Sequence, residues 1–287
     1  MSSASPQTEA RAEPVPPAAA GGGLPDVVVI GAQKCGTSAL HSYLAKHPET
    51  SMSQPKELDF FIASKNWGKG VDWYRGHFDP AAKLRGESSP NYTADPVLPG
   101  VPERMAELIP DAKLIFIVRD PIDRARAQWI HNYSNRVQDK PLRRAVLEDA
   151  EYVIRSRYHH QLSRFLEHYP LERILVLEQD ELLSERAETL RRVFAFLGLR
   201  EDFWHPSYDR KRHETQKRRR KTAIGLFAER RLPKRWWRRV RFSRPFSIPF
   251  EHTELDDATR DELAERLRDD VTRLRELTGK PFGNWSL

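Results

Sequence analysis

The sequence predicts an α/β fold, a parallel sheet covered by helices on both faces, and three observations predict it. Short β-branched, apolar runs recur along the 287-residue chain at Asp26–Gly31, Lys113–Val118 and Arg173–Leu177. Segments with helical spacing alternate with these runs, which favours parallel strands buried on both sides. The first run ends in a glycine turn that opens directly into a helix. There is no internal repeat. A chain of this length can bury a full core, so one large domain is expected rather than two small ones.

The remaining elements follow in order. The helix after the first run is predicted over Gly36–His47, with Leu40, Tyr43 and Leu44 on one side and Pro48 closing it. Lys56-Glu57-Leu58-Asp59-Phe60-Phe61 reads as a short extended segment and Gly70–Phe78 as a short, aromatic-rich helix. Leu84–Glu87 reads as a strand running into the loop Ser88-Ser89-Pro90-Asn91-Tyr92, and Val101–Ile109 as a helix with Pro102 in its first turn. After Lys113–Val118, Asp120 suits an N-cap, Pro121 the first helical residue and Asp123 the third, starting a helix to about Asn135. Leu142–Tyr169 reads as helical in two pieces, and Arg186–Leu197 as a helix with Gly198 as its C-cap. Leu263, Leu267, Val271, Leu274 and Leu277 mark one face of a last amphipathic helix.

Composition narrows the class. A hydrophobic content of 39% and a charged content of 31% fit a soluble globular chain. The single cysteine, Cys35, allows no internal disulfide and fits a reducing compartment. No apolar run approaches the roughly 20 residues of a membrane span, and the expected location is cytoplasmic. Residues 1–24 are rich in Ala, Pro, Ser, Gly and Glu, without a basic start or an apolar core, and read as a disordered tail, not a secretory signal. The net charge of +7 is uneven: Arg210 to Arg244 hold 16 Lys/Arg against Glu214 and Glu229, a local +14 that leaves −7 for the rest. This stretch reads as a basic lid or insertion, and its local character argues against generic nucleic-acid binding. Within it, Lys234-Arg235-Trp236-Trp237-Arg238-Arg239 is both basic and aromatic. Residues 230–244 are therefore a candidate for peripheral contact with an anionic membrane, for binding an anionic acceptor, or for a plain solvated helix face.

The chemistry concentrates in Gly31-Ala32-Gln33-Lys34-Cys35-Gly36-Thr37-Ser38. Buried strand, glycine turn and helix N-terminus are the layout of a phosphate-binding loop, so the expected sheet is P-loop-like. ATP and GTP loops read G-x-x-x-x-G-K-[S/T]. Here Gly31 and Gly36 keep that separation, but Thr37 follows Gly36 and the lysine, Lys34, sits inside the loop. The expected ligand is a phosphate ester whose reactive group is not a γ-phosphate. The loop amides, those of Cys35, Gly36, Thr37 and Ser38 among them, hold a phosphate together with the helix dipole. Thr37 and Ser38 add hydroxyl donors, and Cys35 reads as a small residue in a tight turn. Arg119 stands where the second buried strand ends, the edge at which open parallel sheets bind ligands. It offers a second anion contact unless Asp120 or Asp123 engages it. Two anion sites on separate strands suit a nucleotide phosphorylated at two positions. The rival is a P-loop nucleotide-dependent kinase with a degenerate loop, which needs Mg²⁺ and an acidic ligand at a strand end, Asp120 or Asp180.

The chain resembles the sulfotransferases that use 3′-phosphoadenosine 5′-phosphosulfate (PAPS), most closely the heparan sulfate N- and 3-O-sulfotransferase branch and its bacterial relatives. Gly31–Leu40 is similar to that family's 5′-phosphosulfate loop, Lys56–Phe61 to its catalytic-glutamate segment, and Ile117–Arg124 to its 3′-phosphate strand and helix. Gly70-Val71-Asp72-Trp73-Tyr74, Ser89-Pro90-Asn91-Tyr92 and the tail Leu277–Phe282 match as well. The resemblance is good over 25 to 200 and looser beyond. It implies a sulfotransferase domain over 25–287 that uses PAPS as co-substrate and needs no metal. It implies that Lys34 contacts the oxygen between sulfonate and phosphate, that Glu57 is the general base, and that Arg119 binds the 3′-phosphate. His131 matches an N-sulfotransferase histidine on the acceptor side, a plain surface histidine being the alternative. Lys217 and Arg218 fall where the family's basic loop closes over the cofactor. The implied acceptor is a hydroxyl or amine of a sugar, a glycolipid or another small molecule. Three positions depart from the family: Ala127 replaces a serine of the 3′-phosphate motif, Ser88 a lysine near the acceptor, and Asp59 a histidine.

Overall fold

The computed structural model describes residues 23–209, 219–251 and 254–287. Five strands form one sheet in the order β2-β3-β1-β4-β5, every neighbouring pair parallel. In chain order the elements are β1 (Val27–Gly31), α1 (Thr37–Leu44), β2 (Thr50–Met52), α2 (Gly70–Arg75), β3 (Leu84–Ser88), α3 (Val101–Leu108), β4 (Lys113–Val118) and α4 (Pro121–Ser134). There follow α5 (Leu142–Glu148), α6 (Glu151–Ile154), α7 (Tyr158–Leu166), β5 (Ile174–Glu178), α8 (Gln179–Ser184) and α9 (Arg186–Leu197). The last are β6 (Arg220–Lys221), α10 (Ala223–Arg231), α11 (Lys234–Val240), β7 (Ser247–Ile248) and α12 (Asp257–Thr278). β6 and β7 pair antiparallel, apart from the main sheet.

Every residue of β1 is buried, as is β4 after Lys113, so both faces of the central strands are covered, as their unbroken apolar runs require. One hydrophobic cluster surrounds these strands. A second lies among α4, α5, α6 and α12, from Ile122 and Trp129 to Leu263 and Leu267.

Some boundaries move. The first helix ends at Leu44, three residues short of His47. Leu142–Tyr169 is three helices, not two. Lys56–Phe61 is irregular; side chains, not a ladder, hold it. No described helix is long and apolar enough to cross a membrane.

Candidate functional site

The sheet order places β1 between β3 and β4, so the loops after β1 and β4 meet at the point where the strand order reverses, the usual ligand crevice of open parallel sheets. The loop after β1 is tied to the end of β4: the Ala32 amide donates to the Ile117 carbonyl at 2.7 Å. The two glycines serve different ends. A Cβ on Gly31 would stand 2.0 Å from Thr93 Oγ1, so crowding demands glycine there. Gly36 has φ 98°, left-handed backbone that favours glycine. Lys34 also lies in that region, at φ 73°.

No side chain caps the N-terminus of α1, and its first turn carries no acid. Among the described residues, the amides of Gly36, Thr37 and Ser38 have no protein acceptor. Aligned donors and the helix dipole therefore converge on this corner, as an anion requires. Cys35 is fully buried, its Sγ 3.5 Å from Tyr158 Oη, and burial pushes its thiol up. Its amide, expected among the phosphate-holding donors, instead donates to the Ala32 carbonyl at 3.2 Å inside the turn.

Arg119 follows β4 and reaches Asp123 only at 3.6 Å, with Asp123 itself half-exposed. Asp120 is engaged elsewhere. Its Oδ1 accepts from the amides of Ile122 and Asp123, both at 2.9 Å, and its Oδ2 from the Ser286 amide and hydroxyl at 2.6 and 2.7 Å. One turn on, Arg124 is completely buried with neutral partners: Ser156 Oγ at 2.7 Å, Gln128 Oε1 at 2.9 Å and the Tyr152 carbonyl at 2.7 Å. Burial lowers its pKa, and the neighbouring charges of Arg155 and Arg119 add to the shift. A guanidinium without a contacting carboxylate thus lies behind the anion corner. The sequence shows it only as part of the Ile117–Arg124 motif.

The Glu57 segment reaches the corner through Lys56. Lys56 Nζ donates to Glu57 Oε1 at 2.9 Å and to Thr37 Oγ1 at 3.2 Å, one cation linking the proposed base to the phosphate loop. Sequence reasoning treated Lys56 only as a neighbour of Glu57; its role shows when α1 packs beside residues 53–57. The Glu57 side chain is 45% exposed and can meet an incoming group.

What fixes this segment is a buried carboxylate that the sequence reading passed over as a strand residue. Glu87, at the end of β3, has no exposed surface. It accepts from Tyr74 Oη at 2.6 Å, Tyr92 Oη at 2.8 Å and Ser89 Oγ at 2.9 Å. Ser89 Oγ in turn accepts from the Asp59 amide at 3.0 Å, and Tyr92 Oη from the Phe60 amide at 2.9 Å. Burial pushes the Glu87 carboxyl up to about 7 against the pull of these three hydroxyls. Ser88 is also buried, with its Oγ 3.0 Å from His41 Nδ1. Burial and the charge of Lys56 lower His41 to about 4, so the ring is neutral at pH 7.

Lys34, Cys35, Gly36, Thr37, Ser38 and Arg119 therefore share one end of the sheet, with Glu57 joined through Lys56. His131 lies in the last turn of α4, about 15 Å of helix beyond Pro121. Lys217 and Arg218 lie outside the described residues. A cleft of about 420 Å3 lined by Trp129, Tyr133, Arg143 and Phe250 sits by the second half of α4, away from the β1–β4 crevice. Among the described residues, no group of three or more His, Cys, Asp or Glu could hold a metal ion.

Comparison with known proteins gives this corner its context. Bifunctional heparan sulfate N-deacetylase/N-sulfotransferase 1 of Caenorhabditis elegans is 30% identical over 201 residues, 62% of this chain and 22% of the relative. Human heparan sulfate glucosamine 3-O-sulfotransferase 5 is 31% identical over 194 residues, 61% of this chain and 54% of the relative. The chain thus spans only part of the length of these relatives. Among solved structures, a sulfotransferase from Alicyclobacillus acidocaldarius shares the fold at a TM-score of 0.68 and 23% identity, over 92% of this chain and 100% of that one. Mouse sulfotransferase SULT7A1 complexed with PAP aligns at 0.50 and 16% identity, over 89% and 88%. The model of the sulfotransferase domain matches residues 24–224, a span that holds the loop after β1, the Glu57 segment and the Arg119 corner, and the chain belongs to that family.

Proposed function

We propose that the protein moves a sulfonate group from PAPS to a hydroxyl or amine of a carbohydrate-like or small-molecule acceptor. The observation that carries this reading is the shared corner of β1 and β4, where the uncapped N-terminus of α1 and the loop before it lie beside the strand end that Arg119 follows. The residues present fit the donor. The amides of Gly36, Thr37 and Ser38 and the Thr37 and Ser38 hydroxyls suit its 5′-phosphate, and Arg119, with the Arg124 charge behind it, suits its 3′-phosphate. When bound, PAPS supplies a sulfonate on a phosphate leaving group. Lys34 then neutralises charge growing on the leaving oxygen, the kind of preorganised electrostatic help that dominates in-line group transfer. Glu57 takes the acceptor proton, and Lys56 holds its carboxylate beside the loop. The names of the heparan sulfate relatives support a sugar acceptor. The burial of Ser88 against His41 means that the position of the family's acceptor-side lysine is filled differently here. The kinase reading is not favoured: Thr37 stands in place of its lysine, both Asp120 oxygens are engaged, and Asp180 follows the edge strand β5.

Mass spectrometry across a panel of sugars, glycolipids and phenols is expected to show a gain of SO3 with release of PAP, in the presence of EDTA. ADP release from ATP that depends on Mg²⁺ would favour the kinase instead. Lys34→Ala should cost about a hundredfold or more in kcat. Glu57→Gln should cost about 10²–10⁴-fold while PAP affinity stays unchanged. A Glu57→Gln variant with near-normal turnover would remove Glu57 as the base.

A further inference from the structure

The segment after residue 218 is a compact surface unit. β6 and β7 pair, α10 packs on α11, and Trp237 Nε1 donates to Glu229 Oε1 at 3.2 Å. The unit is fastened to α4 by Arg220, whose guanidinium lies 4.1 Å from the Tyr133 ring centre and donates to its hydroxyl at 3.0 Å. The inner face of α10 is set by Gly225 and Ala228; a Cβ on Gly225 would stand 2.0 Å from the Phe246 carbonyl oxygen. Its outer face carries Ile224, Phe227 and Arg231, spaced i, i+3 and i+7.

Large apolar side chains are exposed here to a degree that a solvated face does not need. Ile224 is 55% exposed, Phe227 64%, Trp236 48% and Phe242 51%, with Leu232 and Ile248 also exposed. Arginines lie across three of these rings: Arg231 over Phe227 at 5.4 Å, Arg235 over Trp236 at 5.7 Å and Arg241 over Phe242 at 4.5 Å. From Arg219 to Arg244 there are eleven Lys/Arg and one acid, Glu229. Among the described side chains of this stretch, only Arg220 and Lys221 are paired with carboxylates.

We propose that this unit is a docking surface for an anionic lipid bilayer, on which the rings and aliphatic side chains enter the headgroup boundary while the arginines meet lipid phosphates. Cations beside exposed rings are the composition of an interfacial segment, whose long basic side chains reach to the headgroups. A sulfated or phosphorylated polyanion would engage the arginines but has no use for exposed Ile224, Leu232 and Ile248. A second copy of this chain would bring like charge against like charge over the whole patch. The inference is independent of the sulfonate-transfer reading.

The test is co-sedimentation of the full chain with phosphatidylcholine vesicles, with and without phosphatidylglycerol. Binding is expected only with the anionic lipid and should weaken with salt. The triple variant Phe227→Ser, Trp236→Ser, Phe242→Ser should bind such vesicles about tenfold more weakly or worse. Arg235→Gln, Arg239→Gln and Arg241→Gln should each weaken binding roughly fivefold. Circular dichroism and PAP binding of these variants should match the parent, which separates a lost surface from a lost fold. Three results would overturn the proposal. One is no binding to anionic vesicles. Another is binding that the aromatic triple variant retains and heparin displaces, which makes the patch a polyanion surface. The third is self-association that the triple variant abolishes, which makes it a contact between copies.

Discussion

Lys34 shows how much a single residue gives up for position. A non-glycine residue at φ 73° carries a cost of about 1–2 kcal/mol. In the proposed reading, the chain accepts that cost at the lysine of the loop that opens α1. Glu87 makes a different concession. Its carboxyl is raised from 4.5 to about 7 by burial, so between those values the native state keeps a proton that the unfolded chain has released. Stability from this group is therefore fully present below about pH 4.5, falls as pH rises through the window, and levels off above about 7. The fall is on the order of 3 kcal/mol. Glu87→Gln, which keeps an oxygen for the tyrosine hydroxyls, is expected to flatten it. Urea unfolding of parent and variant at several pH values measures the difference, and parallel curves would exclude Glu87 as the source. Because Tyr92 and Ser89 carry the network to the Phe60 and Asp59 amides, Glu87→Ala should also lower kcat with little change in PAP affinity.

At the scale of elements, Arg119, the second anion contact in the proposed reading, stands between β4 and the N-cap of α4, so the cap bears on its position. Asp120 accepts two amides of the first turn and two groups of Ser286. Asp120→Ala should cost about 1–2 kcal/mol of stability and weaken PAP binding by letting the β4–α4 corner relax. Calorimetry for both quantities decides it, and a variant with parental stability would show that the cap is dispensable. This cap was legible in the sequence, because Asp-Pro at a strand end is a local signal with a local cause. So were β4, read over Lys113–Val118 as observed, and the loop glycines. β2 was not legible: three residues, Thr50–Met52, carry no periodicity and form a strand only because β3 offers an edge. The second break in Leu142–Tyr169 was hidden for a related reason. Ser156 leaves the helix to accept from Arg124 Nε and donate to the Pro121 carbonyl at 2.9 Å, partners more than thirty residues away. Lys56 and Glu87 escaped notice because their meaning lies in what packs against them, whereas Lys34 and Arg119 are announced by the strand ends they follow.

Across the whole molecule, the C-terminal residues tie the two hydrophobic clusters to the anion corner. α12 packs on α7 and α4, and Leu287 touches both clusters. Phe282 stacks on Trp285 at 4.3 Å, Trp285 meets the edge of Tyr158 at 5.8 Å, and Tyr158 reaches Cys35 inside the phosphate loop. Ser286 holds Asp120 from the same side. The tail therefore packs, through Tyr158 and Asp120, against both segments that the proposed reading assigns to anion binding. Trp285→Ala should open a cavity under Tyr158 and cost about 3–5 kcal/mol. Ser286→Ala, which keeps the amide bond to Asp120, should cost about 1 kcal/mol. Coupling from tail to site predicts more than a loss of stability: at a temperature where both variants are fully folded, Trp285→Ala should bind PAP more weakly than the parent, and Ser286→Ala only slightly so. Isothermal titration below the unfolding transition tests this. Trp285→Ala with a lowered melting temperature but unchanged PAP affinity would mean that the tail closes the core without shaping the phosphate loop.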